Sequence, residues 1–381
     1  MNMKKAFCFL IMFLFVFSFS AQVCAETKEK DFYEKQFEQS GAKDLPEYLP
    51  DDTKNSLEDL GIQGADWEDI ITITPKSMFE KILSIAGGKI NEPLRAAVSV
   101  IAVMLLCALL NGMKISFGDR QMSSVIGMVA TLCICVIIIN PIVSCIANAA
   151  SIIKAAAGFL LACVPVLIGI MLAAGQPVAS GSYNLLMMAA GNVISIIASN
   201  ILVPLMNIFL AISIVSAISP NINLNGLCRS FNKVAKWIMG FCMTVFTGLI
   251  TMHSIVAAAM DTTGTRAARF VVSSFVPVVG NALGEAIHTI NGCVKMLKSG
   301  VSAFGLLAGL FIFLPIIIES IMWLLTIHIC AGIGDVFDLK EVTSLLRASI
   351  DVIETLLSII LCCMTILTVS TVVMLIIGGV T

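Results

Sequence analysis

The chain has 381 residues, of which 58% are hydrophobic and only 13% are charged, and its mean hydropathy is +0.98. Soluble globular domains have about 45–50% apolar and about 25% charged residues, so this composition excludes a soluble enzyme and a largely disordered chain. It predicts an all-α polytopic membrane protein. The formal net charge is −2. A nucleic-acid partner would require a cluster of basic residues, and the sequence contains none.

Residues 1–25 have the pattern of a secretory signal peptide. Lys4 and Lys5 form a positive start, and an apolar stretch from Ala6 to Phe19 follows. This stretch is short for a membrane span of about 20 residues. Small residues precede the position between Ala25 and Glu26, where we predict cleavage. The alternative is an uncleaved first membrane helix.

Residues 26–92 form an acidic segment that such a signal would export. This segment contains 16 Asp/Glu and 8 Lys/Arg, a net charge of 8 − 16 = −8. It contains no cysteine, and the cysteines further along lie in apolar stretches. The sequence therefore predicts neither a disulfide framework nor a zinc site.

An amphipathic helix is predicted at the end of the acidic segment. Thr74 and Pro75 have the residue types of an N-cap and a first helical position. Apolar residues then recur at helical spacing, with charged residues away from them. Such a helix lies either on the membrane surface or against the protein itself, and the sequence leaves both open.

Residues 93–381 are predicted to form the transmembrane domain, with seven spans and one ambiguous segment, Phe270–Ile290. Lysines and arginines in the predicted loops divide evenly between the two sides, so the positive-inside rule does not orient the chain. The predicted spans are Leu94–Asn111, Met122–Ile146, Ala155–Ala174, Leu185–Ser219, Val234–Met260, Val301–Ile333 and Ile353–Val380.

A short internal repeat recurs after about 112 residues. Val164–Gly169 resembles Val276–Gly280, and Ile201–Pro204 resembles Ile312–Pro315. Because three is an odd number of membrane crossings, the second copy of such a unit begins on the opposite side of the membrane and runs in the opposite direction. The pattern therefore predicts an inverted repeat of the kind found in transporters.

Four prolines lie at related positions of this repeat: Pro165, Pro204, Pro277 and Pro315. A proline in a membrane helix removes a backbone donor and frees a carbonyl, which then needs a protein or water partner. Two interpretations remain open. The prolines break helices that line a transport path, or they kink helices that pack together.

Glu319 lies inside an apolar stretch, where a carboxylate must face a cavity, pair with a base or be protonated. It is therefore a candidate for a proton or solute pathway, and the alternative is a structural ion pair with a Lys or Arg. Glu285 and His288 have the spacing of half a di-metal motif, but the second copy is missing from the sequence. We predict no metal, no cofactor and no catalytic residue.

The sequences DTTGTRAARF from Asp261 and FVPVVG from Phe275 resemble the stage III sporulation protein AE family of endospore-forming bacteria. The likeness continues, in order of features, over nearly the whole chain. The matching residues singled out as the family motif are Asp261, Arg266, Arg269, Phe270, Pro277 and Gly280.

The resemblance implies a function that composition cannot show. Such proteins belong to a complex in the mother-cell membrane around the forespore. Together with other membrane proteins and a forespore partner, they form a channel or secretion-like apparatus, and this subunit is its permease-like part. The alternatives are a stand-alone transporter for a small solute and a scaffold without a pore.

Overall fold

A computed structural model describes residues 27–66, 69–70, 73–114, 120–173, 177–218, 225–275 and 280–377. Within these ranges it describes the backbone alone for 27–32, 111–114, 120–126, 253–255, 257–275, 280–291, 373–377 and a few single positions. The described residues are mostly helical and include no strand, which confirms the all-α prediction. The predicted cleavage site at Ala25 and Glu26 and the motif residue Pro277 lie outside these ranges.

The described residues form ten α-helices. A 3₁₀ helix (Ala42–Tyr48) lies between the first two, and a π-helix (Ile197–Leu202) joins the sixth to the seventh. In chain order they are α1 (Thr27–Gln39), α2 (Asp51–Glu58), α3 (Pro75–Lys89), α4 (Asn91–Lys114), α5 (Arg120–Ala173), α6 (Pro177–Ile196), α7 (Val203–Ile218), α8 (Asn225–Phe275), α9 (Gly280–Val336) and α10 (Lys340–Ile377).

The acidic N-terminal segment folds onto the long helices. Gly41 follows α1 with a φ of 74°, a left-handed conformation that glycine adopts without steric conflict, and it turns the chain into the 3₁₀ helix. α1 and α2 pack against α9, and the 3₁₀ helix packs against α5. Their buried side chains join the common core: Tyr33, Leu45, Leu49, Leu57 and Ile62.

Helix α3 begins as the sequence predicts. The Thr74 side chain accepts a hydrogen bond from the Ser77 backbone N–H at 3.3 Å, and Pro75 occupies the first turn. Its apolar face (Met78, Ile82, Ile85 and Ala86) packs against the core, and α3 contacts α9. Of the two placements left open above, the structure shows the helix against the protein itself.

Replacing the cap tests this start. Thr74→Ala is expected to destabilise the first turn of α3 by about 1 kcal/mol, because the Ser77 N–H loses its acceptor. Hydrogen exchange of the first-turn amides in the full chain should accelerate about fivefold. Ser84→Ala, an exposed position in the middle of the same helix, is the control. Equal exchange rates in the two variants would contradict the assignment.

The long helices merge segments that the sequence analysis separated. The predicted spans Met122–Ile146 and Ala155–Ala174 lie in one helix, α5, of 54 residues. The segment Phe270–Ile290 is described only in part, as the end of α8 up to Phe275 and the start of α9 from Gly280, and residues 276–279 lie outside the described ranges. Polar residues near Lys154 suggested a loop, but they lie on one side of a continuous helix.

Five helices in the described part of the chain are long and apolar enough to cross a membrane. The regions that qualify are Asn91–Leu110, Gly127–Ala173, Ser230–Met252, Gly292–Val336 and Lys340–Val372. The predicted count of seven or eight spans is not confirmed. The region in α9 is 78% buried and that in α8 is 17% buried, so α9 is the central helix and α8 lies at the periphery.

Contacts between particular residues define how the helices run. Cys145 on α5 lies 3.7 Å from Ser320 on α9, and the Phe159 ring lies 6.3 Å from the Phe304 ring. As the residue number rises on α5 it therefore falls on α9, and the two helices are antiparallel. α6 also runs against α5, because the two are joined by residues 174–176 and Gly191 touches Leu161.

These directions bear on the predicted repeat. Pro204 follows the π-helix on the path of α6 and α7, and Pro315 lies in α9. Both paths run antiparallel to α5, so they run in the same direction, whereas an inverted repeat requires opposite directions. The prediction assumed that three short spans separate the two copies of the repeat, and an odd number of spans reverses the direction of the chain. In the structure the offset of about 112 residues covers two long helices, and an even number returns the chain to its first direction.

Candidate functional site

The candidate site centres on Glu319, the carboxylate that the sequence places inside an apolar stretch. Glu319 lies on α9, and its side chain is 12% exposed. Lys89, the last residue of α3, donates from Nζ to Glu319 Oε2 at 2.9 Å. Of the alternatives left open above, the structure shows the ion pair. A role of Glu319 in a pathway stays a prediction.

The surroundings of this ion pair join three helices. Ser320, the next residue of α9, is buried and its Oγ lies near the Cys145 Sγ of α5. α3 and α5 therefore both meet α9 at this height. A second ion pair, between Lys81 and Asp59, ties α3 to the chain just after α2. Two lysines eight residues apart thus fix α3 between the N-terminal segment and the central helix.

Lys89 lies at the junction of α3 and α4, where the backbone is nearly continuous. Ile90 has helical backbone angles, and the Leu94 N–H donates to its carbonyl at 3.1 Å, so α3 passes into α4 with little interruption. Pro93 has no N–H and leaves the Lys89 carbonyl without an α-helical partner. We attribute the break between α3 and α4 to this proline.

The candidate prolines do not converge on one site. Pro165 is exposed on α5, Pro204 is exposed on α7, and Pro315 is half-buried within α9. The helix contacts place Pro204 and Pro315 opposite about residues 148 and 150 of α5, whereas Pro165 lies about 24 Å further along. Both α5 and α9 continue through their prolines, so these two are not breaks in the helix.

The family-motif residues lie around the connection between two helices. Asp261, Arg266, Arg269 and Phe270 lie on the last part of α8, where the backbone alone is described, and Gly280 is the first residue of α9. Glu285 and His288 follow on α9, again as backbone alone. Among the side chains that are described, no three metal-binding residues come together.

One buried charge was not predicted from the sequence. Lys298 was counted among the loop lysines, but it lies within α9 and is 5% exposed. Its Nζ and the Oγ of Ser302, one turn later, have no hydrogen-bond partner among the described residues. A possible signal was the apolar spacing of its neighbours Val294, Leu297 and Val301, which continues the helical pattern through Lys298.

Comparison with known proteins agrees with the resemblance noted in the sequence. The sequence model of the family described as Stage III sporulation protein AE matches residues 66–378. A relative from Bacillus subtilis (strain 168), named Stage III sporulation protein AE, is 23% identical over 259 residues, which are 68% of this chain. The chain spans 63% of the length of that relative. No solved structure matches the chain.

Proposed function

The chain belongs to the stage III sporulation protein AE family, and from this premise we propose that it is the membrane-embedded, permease-like subunit of a channel or secretion complex between mother cell and forespore. The match covers residues 66–378, which include the helices long enough to cross a membrane. The proposed location is the mother-cell membrane around the forespore, with the N-terminal segment outside the cytoplasm.

A role in an assembly is supported by the way the N-terminal segment packs on the long helices. It packs against α5 and α9 and is fixed by the Lys89–Glu319 ion pair, so a charged, folded surface stands beside the helices. This surface is accessible to other membrane proteins and to a forespore partner. We propose that these proteins are its partners, and we assign no catalytic residue.

The alternative function is a stand-alone transporter for a small solute, with Glu319 as the coupling carboxylate. In the structure the Glu319 carboxylate is bound to Lys89. Among the described residues of the long helices, Lys298 is fully buried, and Glu341 and Glu354 on α10 are partly buried like Glu319. This scarcity of buried charge favours the assembly subunit.

Sporulation of variant strains tests the proposal. Deletion of the gene is expected to stop forespore development and abolish heat-resistant spores, with recovery by the intact gene. A chain carrying Arg266→Ala and Arg269→Ala is expected to reach the membrane in normal amount but restore few spores. Lys233→Ala with Lys236→Ala, on the same helix but outside the motif, is the matched control. Normal spore counts in the deletion strain would overturn the proposal.

A further inference from the structure

Two buried polar residues of the central helix, Lys298 and Ser302, have no hydrogen-bond partner for their side chains among the described residues. They are 5% and 2% exposed, and we call them the polar pair. Burying an ammonium group costs free energy unless a negative charge or a set of acceptors lies close to it. The surroundings of Lys298 are therefore expected to supply such a group.

The polar pair lies on the side of α9 that faces α10. A Cβ at Gly305 would stand 3.2 Å from Thr371 Cγ2, and one at Gly309 would overlap Leu367, so these two glycines mark the α10 side. The two members of the polar pair come seven residues before the two glycines. Seven residues are almost two turns of helix, so both side chains point toward α10 as well.

The glycine contacts also fix the height of the polar pair along α10. From the first contact to the second, the residue number rises by four on α9 and falls by four on α10, so the two helices are antiparallel. Continuing this register places Ser302 opposite about residue 374 and Lys298 opposite about residue 378. Helix α10 ends at Ile377, and the polar pair therefore lies at its C-terminal end.

The C-terminal end of α10 supplies the acceptors that the ammonium needs. The last four carbonyls of a helix have no N–H partner within it and point along its axis past its end. Together they carry roughly half a negative charge. A helical side chain leans toward the start of its own helix. Because α9 and α10 are antiparallel, Lys298 leans in the direction in which these carbonyls point.

The described carboxylates of α9 and α10 are too distant to pair with Lys298. Glu319 lies 319 − 298 = 21 residues further along α9, which is about 31 Å. By the same register, Glu354 of α10 lies opposite about residue 322 of α9, about 36 Å away. The stretch of α5 at the height of Lys298 is apolar, and the acids of α1 with described side chains are exposed. Among the described groups, the end of α10 is the one of suitable charge.

We propose that Lys298 is an electrostatic latch that holds the C-terminal end of α10 against the central helix, with Ser302 as a second donor. At the other end of this helix pair, the connection Phe337–Leu339 joins α9 to α10 directly, and the glycine contacts hold the middle. The latched end has no such connection, so it is the end that can separate from α9 first. This inference does not depend on the proposed function.

Hydrogen exchange of the purified full-length chain tests the latch. Lys298→Met keeps a long unbranched side chain but removes the charge, so the amides of residues 368–377 are expected to exchange about tenfold faster. The amides of residues 340–350, at the connected end of α10, should not change. Lys298→Arg keeps the charge and should retain most of the protection. Ser302→Ala changes little volume and should give a smaller acceleration at the same end.

Lys295→Met is the matched control, because Lys295 lies one turn earlier on α9 and its side chain is exposed. It should leave exchange unchanged along the whole of α10. Unchanged exchange of residues 368–377 in Lys298→Met would overturn the proposal. Equal acceleration in Lys298→Met and Lys298→Arg would also overturn it, because packing and not charge would then hold the helix. The same holds for equal acceleration at both ends of α10.

Discussion

Lys89→Ala is expected to release α3 from the central helix and to destabilise the folded chain by about 2 kcal/mol. Glu319 is 12% exposed, and without Lys89 its carboxylate stays in a mostly apolar place with no partner. Breaking a fully buried ion pair costs about 3–5 kcal/mol, and an exposed one contributes about 0–1 kcal/mol. Lys89 is 44% exposed, so the cost lies between these limits.

Thermal unfolding of the purified full chain and hydrogen exchange along α3 measure this effect. Exchange should accelerate more in the C-terminal half of α3 than in α10. Lys76→Ala, which removes an exposed ion pair with Glu80 in the same helix, is the matched control and should leave both measurements unchanged. The reversed pair, Lys89→Glu with Glu319→Lys, should recover part of the loss. Equal stability of Lys89→Ala and the unchanged chain would contradict a structural role.

Glu319→Gln separates the structural role from the pathway. The amide keeps the shape and a hydrogen-bond acceptor for Lys89 but cannot carry a negative charge. If the ion pair is structural, stability falls by less than in Lys89→Ala, because no unpaired carboxylate is left behind, and sporulation falls only as far as stability does. Loss of sporulation at unchanged stability, with Lys89→Ala still functional, would favour the pathway alternative.

Gly309→Leu is expected to destabilise the helix bundle strongly. A Cβ at Gly309 on α9 would overlap Leu367 on α10, and one at Gly305 would stand 3.2 Å from Thr371 Cγ2. The two helices touch closely here, and both are central to the core. Overpacking a core contact costs about 1–3 kcal/mol and occasionally more, so less folded protein should accumulate.

The amount of protein in the membrane and its melting temperature check this result. Gly240→Leu, at an open position of the peripheral helix α8, should behave like the unchanged chain. Gly309→Ala should be milder, and adding Leu367→Ala should partly rescue it, because the smaller side chain gives back the space. Normal stability of Gly309→Leu would show that α9 and α10 do not pack at this contact.

The directions of the helices could not be predicted from hydropathy. The polar residues Asn148, Ser151 and Lys154 interrupt an apolar stretch, and the sequence analysis placed a loop there. In the structure all three are exposed on one side of α5, and no glycine or proline between them ends the helix. Hydropathy averaged over a window does not distinguish a polar loop from a polar face, so the span count and the inversion of the repeat were not confirmed.

The sequence by itself determined what depends on composition and local chemistry. It determined the membrane class and helical structure, because few charges and long apolar stretches allow little else. It also determined the start of α3, since a cap needs only Thr74, Pro75 and the next turn, and it gave the family through the residues around Asp261 and Gly280.

Only the tertiary structure decided which distant residues meet. Lys89 and Glu319 are 230 positions apart, and no local pattern relates them. Their contact depends on α3 lying along α9, which in turn depends on the packing of both helices against the core. The burial of Lys298 and its position at the end of α10 were decided in the same way, because whether a helix face is covered depends on its neighbours and not on its own sequence.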